Sequence, residues 1–548
     1  MAIQNYITSL PTPILAVFGP LDVGVIVTYL ALMALVGALA ARRKTDARGY
    51  FLAERAMPAW AVALSVVATS LSVATFVGVP ELSYTGDLSY LVMSIGGFIA
   101  VLIVGVLFIP RFYRAGTITI YGFLERRYGQ TALIAVSCMF LIGRLLASGA
   151  RLFIAAIPVC LLLFHAFDPS RGQLVLAICL IGALGTAYTV AGGIRAVIWT
   201  DSIQITIVVG AVILSIALLL HQIPLSPHQI IAALADPASG PHGAKLRLFD
   251  FSTNPTRPFT LWTALIGGTF LSTAAYGVDH DLAQRMLTAR SALRGGLSLI
   301  LSQLIGMLVV CLFLAIGLLL YIYYHRPDLM AAAAPTDPLR SSQQVYPQFL
   351  VNHLPTGLSG LAMAGMLAAA QGSLDSAINA MASSAVADLY WPIRRRLGKR
   401  VNAGAQAKAP RLAVAGMGAV LVLFAVLSAL RYDPKKNTLI DFALGVMSFA
   451  YTGMLGVFLA ALFTRRGNST SVVIALIAGV VVTGLLQNGV SDWWTKKLTG
   501  HPQHLASFWW MPIGTCICFL ICIAGRKTRK EKLATDGAVM HTDKTNRD

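Results

Sequence analysis

Of 548 residues, 57% are hydrophobic and only 12% carry charge, about half the share usual in soluble domains, roughly 25%. A formal net charge of +19 would point a soluble protein towards nucleic acid, but spread along so apolar a chain it points to membrane topology. A mainly soluble enzyme and a nucleic-acid binder are excluded. What remains is an all-α integral membrane protein with the lipid bilayer as its solvent.

The first twenty residues, "MAIQNYITSLPTPILAVFGP", lack a charged leader and a clear small-residue cleavage site, so no cleaved signal peptide is expected. About thirteen segments are long enough to cross a bilayer (~20 residues each). They centre near 21–41, 56–79, 88–110, 131–165, 172–190, 195–221, 259–283, 293–324, 356–390, 410–430, 438–464, 469–489 and 506–525. Most of the 42 lysines and arginines then fall in alternate loops, from "ARRKTDARGYFLAER" to the tail beyond 526. This asymmetry predicts a multi-pass cell-membrane protein with its N-terminus outside and its C-terminus cytoplasmic. The two longest connections, 222–258 and 325–355, lie outside, and the charged tail 526–548 is too short for an output domain. Cys516, Cys518 and Cys522 resemble a metal spacing only superficially, because i and i+2 point to different helix faces and no histidine accompanies them. Packing is the simpler reading. No phosphate loop, dinucleotide fingerprint or hydrolase motif occurs, and an enzyme is not expected.

Four stretches break the apolar pattern. "VVATSLSVATFVGVP" (66–80) crowds Thr69, Ser70, Ser72 and Thr75 around Ala68 and Leu71 before Gly78 and Pro80. Such a helix can be interrupted, releasing carbonyls to a cation; small-residue packing is the alternative. In "IGRLLASGARLF", Arg144 and Arg151 are two turns apart on one face. Either could grip a substrate carboxylate, or pair structurally with Asp201 or Asp375. "AGGIRAVIWTDSIQ" (191–204) turns at Gly192 and Gly193 and carries Asp201 two turns into the next span, where it needs a partner, a cation or water. In "AAAQGSLDSAINAMASS" (368–384), Ala369, Gly372, Ser373, Ser376, Asn379 and Ser383 share a face bordered by Asp375. An oxygen-rich stripe beside a carboxylate suits a small hard cation such as sodium, or a proton; a polar seam between helices is the alternative.

These stretches, with "GYFLAERAMPAWAVALSVVATSLSVATFVGVP" and "DHDLAQRMLTA" in the same order, resemble the sodium:solute symporter family over about residues 20–465. The resemblance implies a leucine-transporter-like five-plus-five inverted repeat, 56–221 against 259–464. An extra helix and loop would precede it (1–55), the 222–258 loop would join the halves, and extra helices (465–525) and the tail would follow. It implies Na+ as coupling ion, held by Ala68, Leu71, Ala369, Gly372 and Ser373, and a second position at Asp201, Gly372, Asp375 and Ser376. Two departures stand out: Gly372 replaces a usual hydroxyl residue, and Asp375 replaces a neutral one in the sialic-acid members. On the solute side the resemblance to the sialic-acid members assigns Ser70, Ser72, Thr75 and Arg144, with Ser94 near the position of their glutamine. Sodium-coupled symport of a small organic solute by alternating access is therefore expected, leaning to an organic anion such as a monocarboxylate or acidic sugar. Proton-coupled or uncoupled transport is the alternative, and a transporter-fold membrane sensor a more distant one. Solute identity, stoichiometry and oligomeric state are not written in these motifs.

Overall fold

The computed structural model describes residues 19–42, 46–164, 169–241, 243–330, 335, 339, 341–398, 403–431, 439–502 and 504–526. The long helices are α1 (Pro20–Ala41), α2 (Ala59–Ser70), α3 (Val73–Thr85), α4 (Ser89–Ala115), α5 (Gln130–Phe164), α6 (Arg171–Gln222) and α7 (Thr269–Gly277). They continue as α8 (His280–Leu287), α9 (Ala292–His325), α10 (Leu358–Ser384), α11 (Ala403–Arg431), α12 (Leu439–Phe463), α13 (Ser469–Leu486) and α14 (Trp510–Ala524).

Among the described residues, eight helices are long and apolar enough to cross a membrane, nine when α2 and α3 count as one span bent by 70°. The expected thirteen is neither reached nor overturned by that measure: the side chains of 439–448 in α12 lie outside the described residues, and three other spans go uncounted for physical reasons. The 52-residue α6 runs through a break at Gly193, whose φ of 57° suits glycine and where a Cβ would sit 2.6 Å from the Tyr50 carbonyl. The span around α7 is short and stops at Val278, and α10 is too polar to register as a span although almost all of it is buried.

α10 is the axis of the molecule. Small residues from Gly360 to Ser384 let α2, α5, α6 and α11 pack closely around it. Its first turn is tied to α1: Asp22 accepts from the backbone N–H groups of Gly357 (2.8 Å) and Gly360 (2.6 Å) and from the Ser359 hydroxyl (2.7 Å). An acid in an apolar helix is thus explained as a cap on another helix's N-terminus.

The basic loops gather at one end. There Arg48 donates to the Gly116 carbonyl, Met57 N–H to Thr288, the Tyr50 hydroxyl to Thr189 and Arg396 to Gln130. The opposite end joins 81–87 to 245–247 and 342, through Lys245 to Ser83, Arg247 to Asp87 and Ser342 to Glu81.

Candidate functional site

The first interruption separates α2 from α3 at Leu71 (φ −79°, ψ 127°) and Ser72 (φ −125°, ψ 172°). In a continuous helix the Ser72 N–H would close on the Ala68 carbonyl; here it turns to the Thr75 hydroxyl, 3.4 Å away, while the Thr75 N–H takes the Ser72 carbonyl. The carbonyls of Ala68 and Leu71 are thereby released from their helical partners. Ser70 donates back to Val66 (2.8 Å) yet is exposed at the break, and Thr75 and Ser94 are half-buried.

The second interruption, between α7 and α8 at Asp279, holds charge instead. Asp279 and Asp281 are both buried and share Arg144 of α5: its Nη1 donates to Asp279 Oδ2 at 2.9 Å, and its Nη2 meets Asp281 Oδ2. The Tyr451 hydroxyl also donates to Asp279. Asp281 continues to Arg285 (2.9 Å), which reaches Asp201 at 3.2 Å and the Ser65 hydroxyl at 2.8 Å. Ser65 in turn donates to Asp201 Oδ2. A chain of alternating charges therefore runs from α5 through α8 to α6. Arg144 pairs with Asp279 and Asp281, not with Asp201 or Asp375, the structural partners considered from the sequence. Only its Nε lacks a hydrogen bond, beside a cavity of about 10 Å³ lined by Phe140, Ala147, Tyr451 and Met454.

The polar stripe of α10 divides in two. Its lower part is a seam against α8: Ser376 donates to Asp281 (3.1 Å), Asn379 to Gln284 (3.1 Å), and Ser383 meets His280 at 2.9 Å. Its upper part faces the first interruption. A Cβ on Gly372 would lie 3.3 Å from the Ala68 carbonyl, 3.5 Å from Asp201 Oδ1 and 3.1 Å from Gln204 Oε1. Both side-chain oxygens are buried without a hydrogen-bond partner among the described residues. Asp375 stands behind this group: its carboxylate accepts from the Tyr188 hydroxyl (2.6 Å) and the Ser376 N–H (2.6 Å). The Ser373 hydroxyl bonds the Ala370 carbonyl of its own helix at 3.2 Å, and Ala369 is buried. Gln371 accepts from the Tyr29 hydroxyl.

The break thus brings Ala68, Asp201 and Gly372 together and sets Asp375 and Ser376 one contact further off. Sequence reasoning missed Asp279, Asp281, Arg285 and Gln204 as site residues. The signal was present in "DHDLAQR", two carboxylates and a guanidinium within seven residues, which an apolar span tolerates only when paired. It also passed over Asp388, held by the hydroxyls of Thr119 (2.6 Å), Ser137 (2.9 Å) and Ser384 (2.9 Å) near the basic end.

Residues 50–479 match the model of the sodium:solute symporter family. The chain belongs to that family. It is 28% identical to the sodium/sialic acid symporter SiaT of Proteus mirabilis, over 85% of this chain and 89% of that protein. It is also 28% identical to the sodium-coupled monocarboxylate transporter 1 of Homo sapiens, over 84% and 72%. The substrate-bound outward-open state of a Na+-coupled sialic acid symporter has the same fold, with a TM-score of 0.75 at 25% identity, covering 92% of this chain and 98% of that one. The architecture is therefore the leucine-transporter-like fold expected from the sequence. A member of the sodium:solute symporter family is a sodium-coupled multi-pass transporter, not an enzyme.

Proposed function

We propose that this symporter uses sodium to drive uptake of a small organic anion, with the cation held where the α2–α3 break meets α6 and α10. The observation that carries the reading is the buried, unpartnered Asp201 Oδ1 lying with the released Ala68 carbonyl around Gly372. A bare carboxylate oxygen in such a place needs a positive partner, and oxygen ligands suit a small hard cation. Leu71, Ala369 and Ser373 border the position, and Asp375 and Ser376 support it from behind. Because Ala68 and Leu71 belong to the break and Asp201 and Gly372 to other helices, a bound cation favours the arrangement that assembles them, and alternating access follows from that difference in affinity.

For the solute, the exposed Ser70 with Ser72, Thr75 and Ser94 forms the hydroxyl side, and Arg144 the anion side. Relatives named for sialic acid and monocarboxylates support an anionic solute. Both Arg144 forks are held by Asp279 and Asp281, so a solute carboxylate reaches Arg144 by displacing one of them, and the added negative charge is offset by the co-transported cation. The basic end is assigned to the cytoplasm, giving an outside N-terminus and a cytoplasmic C-terminus. The halves 56–221 and 259–464 are assigned as the inverted repeats.

Proteoliposomes test this directly: uptake of labelled sialic acid or a short monocarboxylate is driven by an inward sodium gradient and abolished in Asp201→Asn. A second reading, proton coupling, is favoured by Asp375, a buried carboxylate with no ion pair among the described residues. Uptake that follows a pH gradient and ignores sodium would establish it and remove the first.

A further inference from the structure

One oxygen at Gly372 belongs to neither expected sodium position. We infer that Gln204 gives its amide oxygen to the coupling cation in place of the hydroxyl that Gly372 lacks, so that the two expected positions merge into one. The inference rests on the sodium-coupled reading above.

Gln204 lies three residues after Asp201 on α6, so the two side chains share a helix face. It is 1% exposed. Its orientation is set by its neighbours. The Tyr188 hydroxyl spends its single proton on Asp375, at 2.6 Å, and can then only accept. The Gln204 Nε2 donates to it at 3.4 Å, which leaves Oε1 on the side of Gly372. That oxygen has no hydrogen bond, although a buried amide carbonyl normally has one. Asp375 is thus a positioning residue: through Tyr188 it turns the Gln204 amide so that oxygen, not nitrogen, faces Asp201 Oδ1 and the Ala68 carbonyl. Without that constraint two acceptors and a carbonyl would not be aimed at one point. Their convergence is what a cation needs and what a hydrogen-bonded core avoids.

Space gives the second argument. A Cβ at position 372 would stand 3.1 Å from Gln204 Oε1, a contact tighter than side chains ordinarily make. A hydroxyl side chain on α10 and this rotamer of Gln204 therefore compete for one place, and glycine resolves the competition in favour of the amide. The three oxygens lie 3.1–3.5 Å from the Cβ point. They therefore surround the face that Gly372 leaves open, and a hard cation beside that face finds only oxygen around it.

Charge gives the third. Around the two breaks stand four carboxylates, Asp201, Asp279, Asp281 and Asp375, and three guanidiniums, Arg144, Arg151 and Arg285. With all four ionised one negative charge is in excess, and either one monovalent cation or one proton on Asp375 balances it, which the sodium titration below tells apart.

The test is a sodium titration of the melting temperature of the purified full chain, with choline chloride holding ionic strength constant, since a bound ion raises apparent stability by mass action. The wild type should saturate with a Hill coefficient of about one. Gln204→Leu should raise the half-saturating sodium concentration about tenfold or more, and Gly372→Ser added to it should bring the value back towards that of the wild type. A merely structural role for Gln204 would lower the melting temperature equally in sodium and choline, without rescue by the serine, and would overturn the inference. So would an unchanged half-saturation in Gln204→Leu beside a sodium-responsive wild type, which leaves sodium coupling itself standing. A wild type that ignores sodium removes the coupling reading and the inference with it. Should Gln204→Leu not fold, Gln204→Glu, which keeps the oxygen and adds charge, decides: tighter sodium binding supports the ligand role, and unchanged or weaker binding overturns it.

Discussion

The two broken spans solve one problem with different chemistry. Between α2 and α3 the chain opens at Leu71 and Ser72 with no charged side chain on the break itself, and its loose ends are met by hydroxyls and by the turn of Ser72 N–H to Thr75. Between α7 and α8 it opens at Asp279, with carboxylates whose oxygens are taken by Arg144, Arg285 and Tyr451. The first break leaves acceptors available; the second has committed nearly all of its own. The lesson is that charge density alone does not mark a binding site. The most charged cluster in this protein is largely self-neutralised, while the bare oxygens sit beside a glycine.

That contrast makes ordered predictions. Removing a guanidinium from the second break should do the most damage. Arg285→Leu strands Asp201, whose one ion pair among the described residues it removes, and leaves Asp281 to Arg144 alone; breaking such a buried pair typically costs about 3–5 kcal/mol, and the expected result is little monodisperse protein on size-exclusion chromatography. Arg144→Leu should be milder, because Tyr451 still serves Asp279 and Arg285 still serves Asp281. Asp201→Asn should leave folding measurable yet weaken sodium about tenfold or more in the same melting assay. At the first break, Thr75→Val removes the acceptor of the Ser72 N–H and should cost about 1 kcal/mol in sodium-free stability. An effect as large as that of Arg285→Leu would erase the distinction between the breaks.

The smallest effect concerns a buried cation at the edge opposite the basic end. Lys245 lies in the loop after α6, against the Ser83 and Tyr84 carbonyls and the Tyr321 ring, with Asp87 nearby. Burial pushes its pKa down from 10.5 to about 8, against the pull of Asp87. Between those values the unfolded chain holds the proton that the folded chain has lost, so this residue's contribution to stability rises with pH across that window and is flat below it. Lys245→Met should remove that rise from a pH series of melting temperatures. A slope that persists would assign it to another group.

Much of the site was legible in the sequence because composition and spacing are local. Hydroxyls at 69–75 marked the first break, and three- and four-residue spacing put Gly372 and Ser376 on one face of α10; that Gly372 stands where a hydroxyl is usual came from the resemblance to the family. The thirteen-span expectation ran ahead of apolarity for a related reason: α10 is polar because protein, not lipid, surrounds it. A helix wrapped by its neighbours has no need of the hydropathy by which spans are recognised.

Partnership was not legible. Arg144 and Asp279 are 135 residues apart, and Ser376 and Asp281 95, so nothing in local periodicity relates them. That Asp375 accepts from Tyr188 and that the Gln204 oxygen is left bare were beyond sequence for the same reason. Sequence shows which oxygens are buried, but which way each turns depends on what the neighbouring hydroxyl has done with its single proton. The sequence by itself determined a helical membrane transporter with an interrupted span, a polar axis and a glycine where a hydroxyl is usual. Tertiary packing alone decided that Arg144 is matched by Asp279 and Asp281, and that Tyr188, committed to Asp375, leaves the Gln204 oxygen turned towards Gly372.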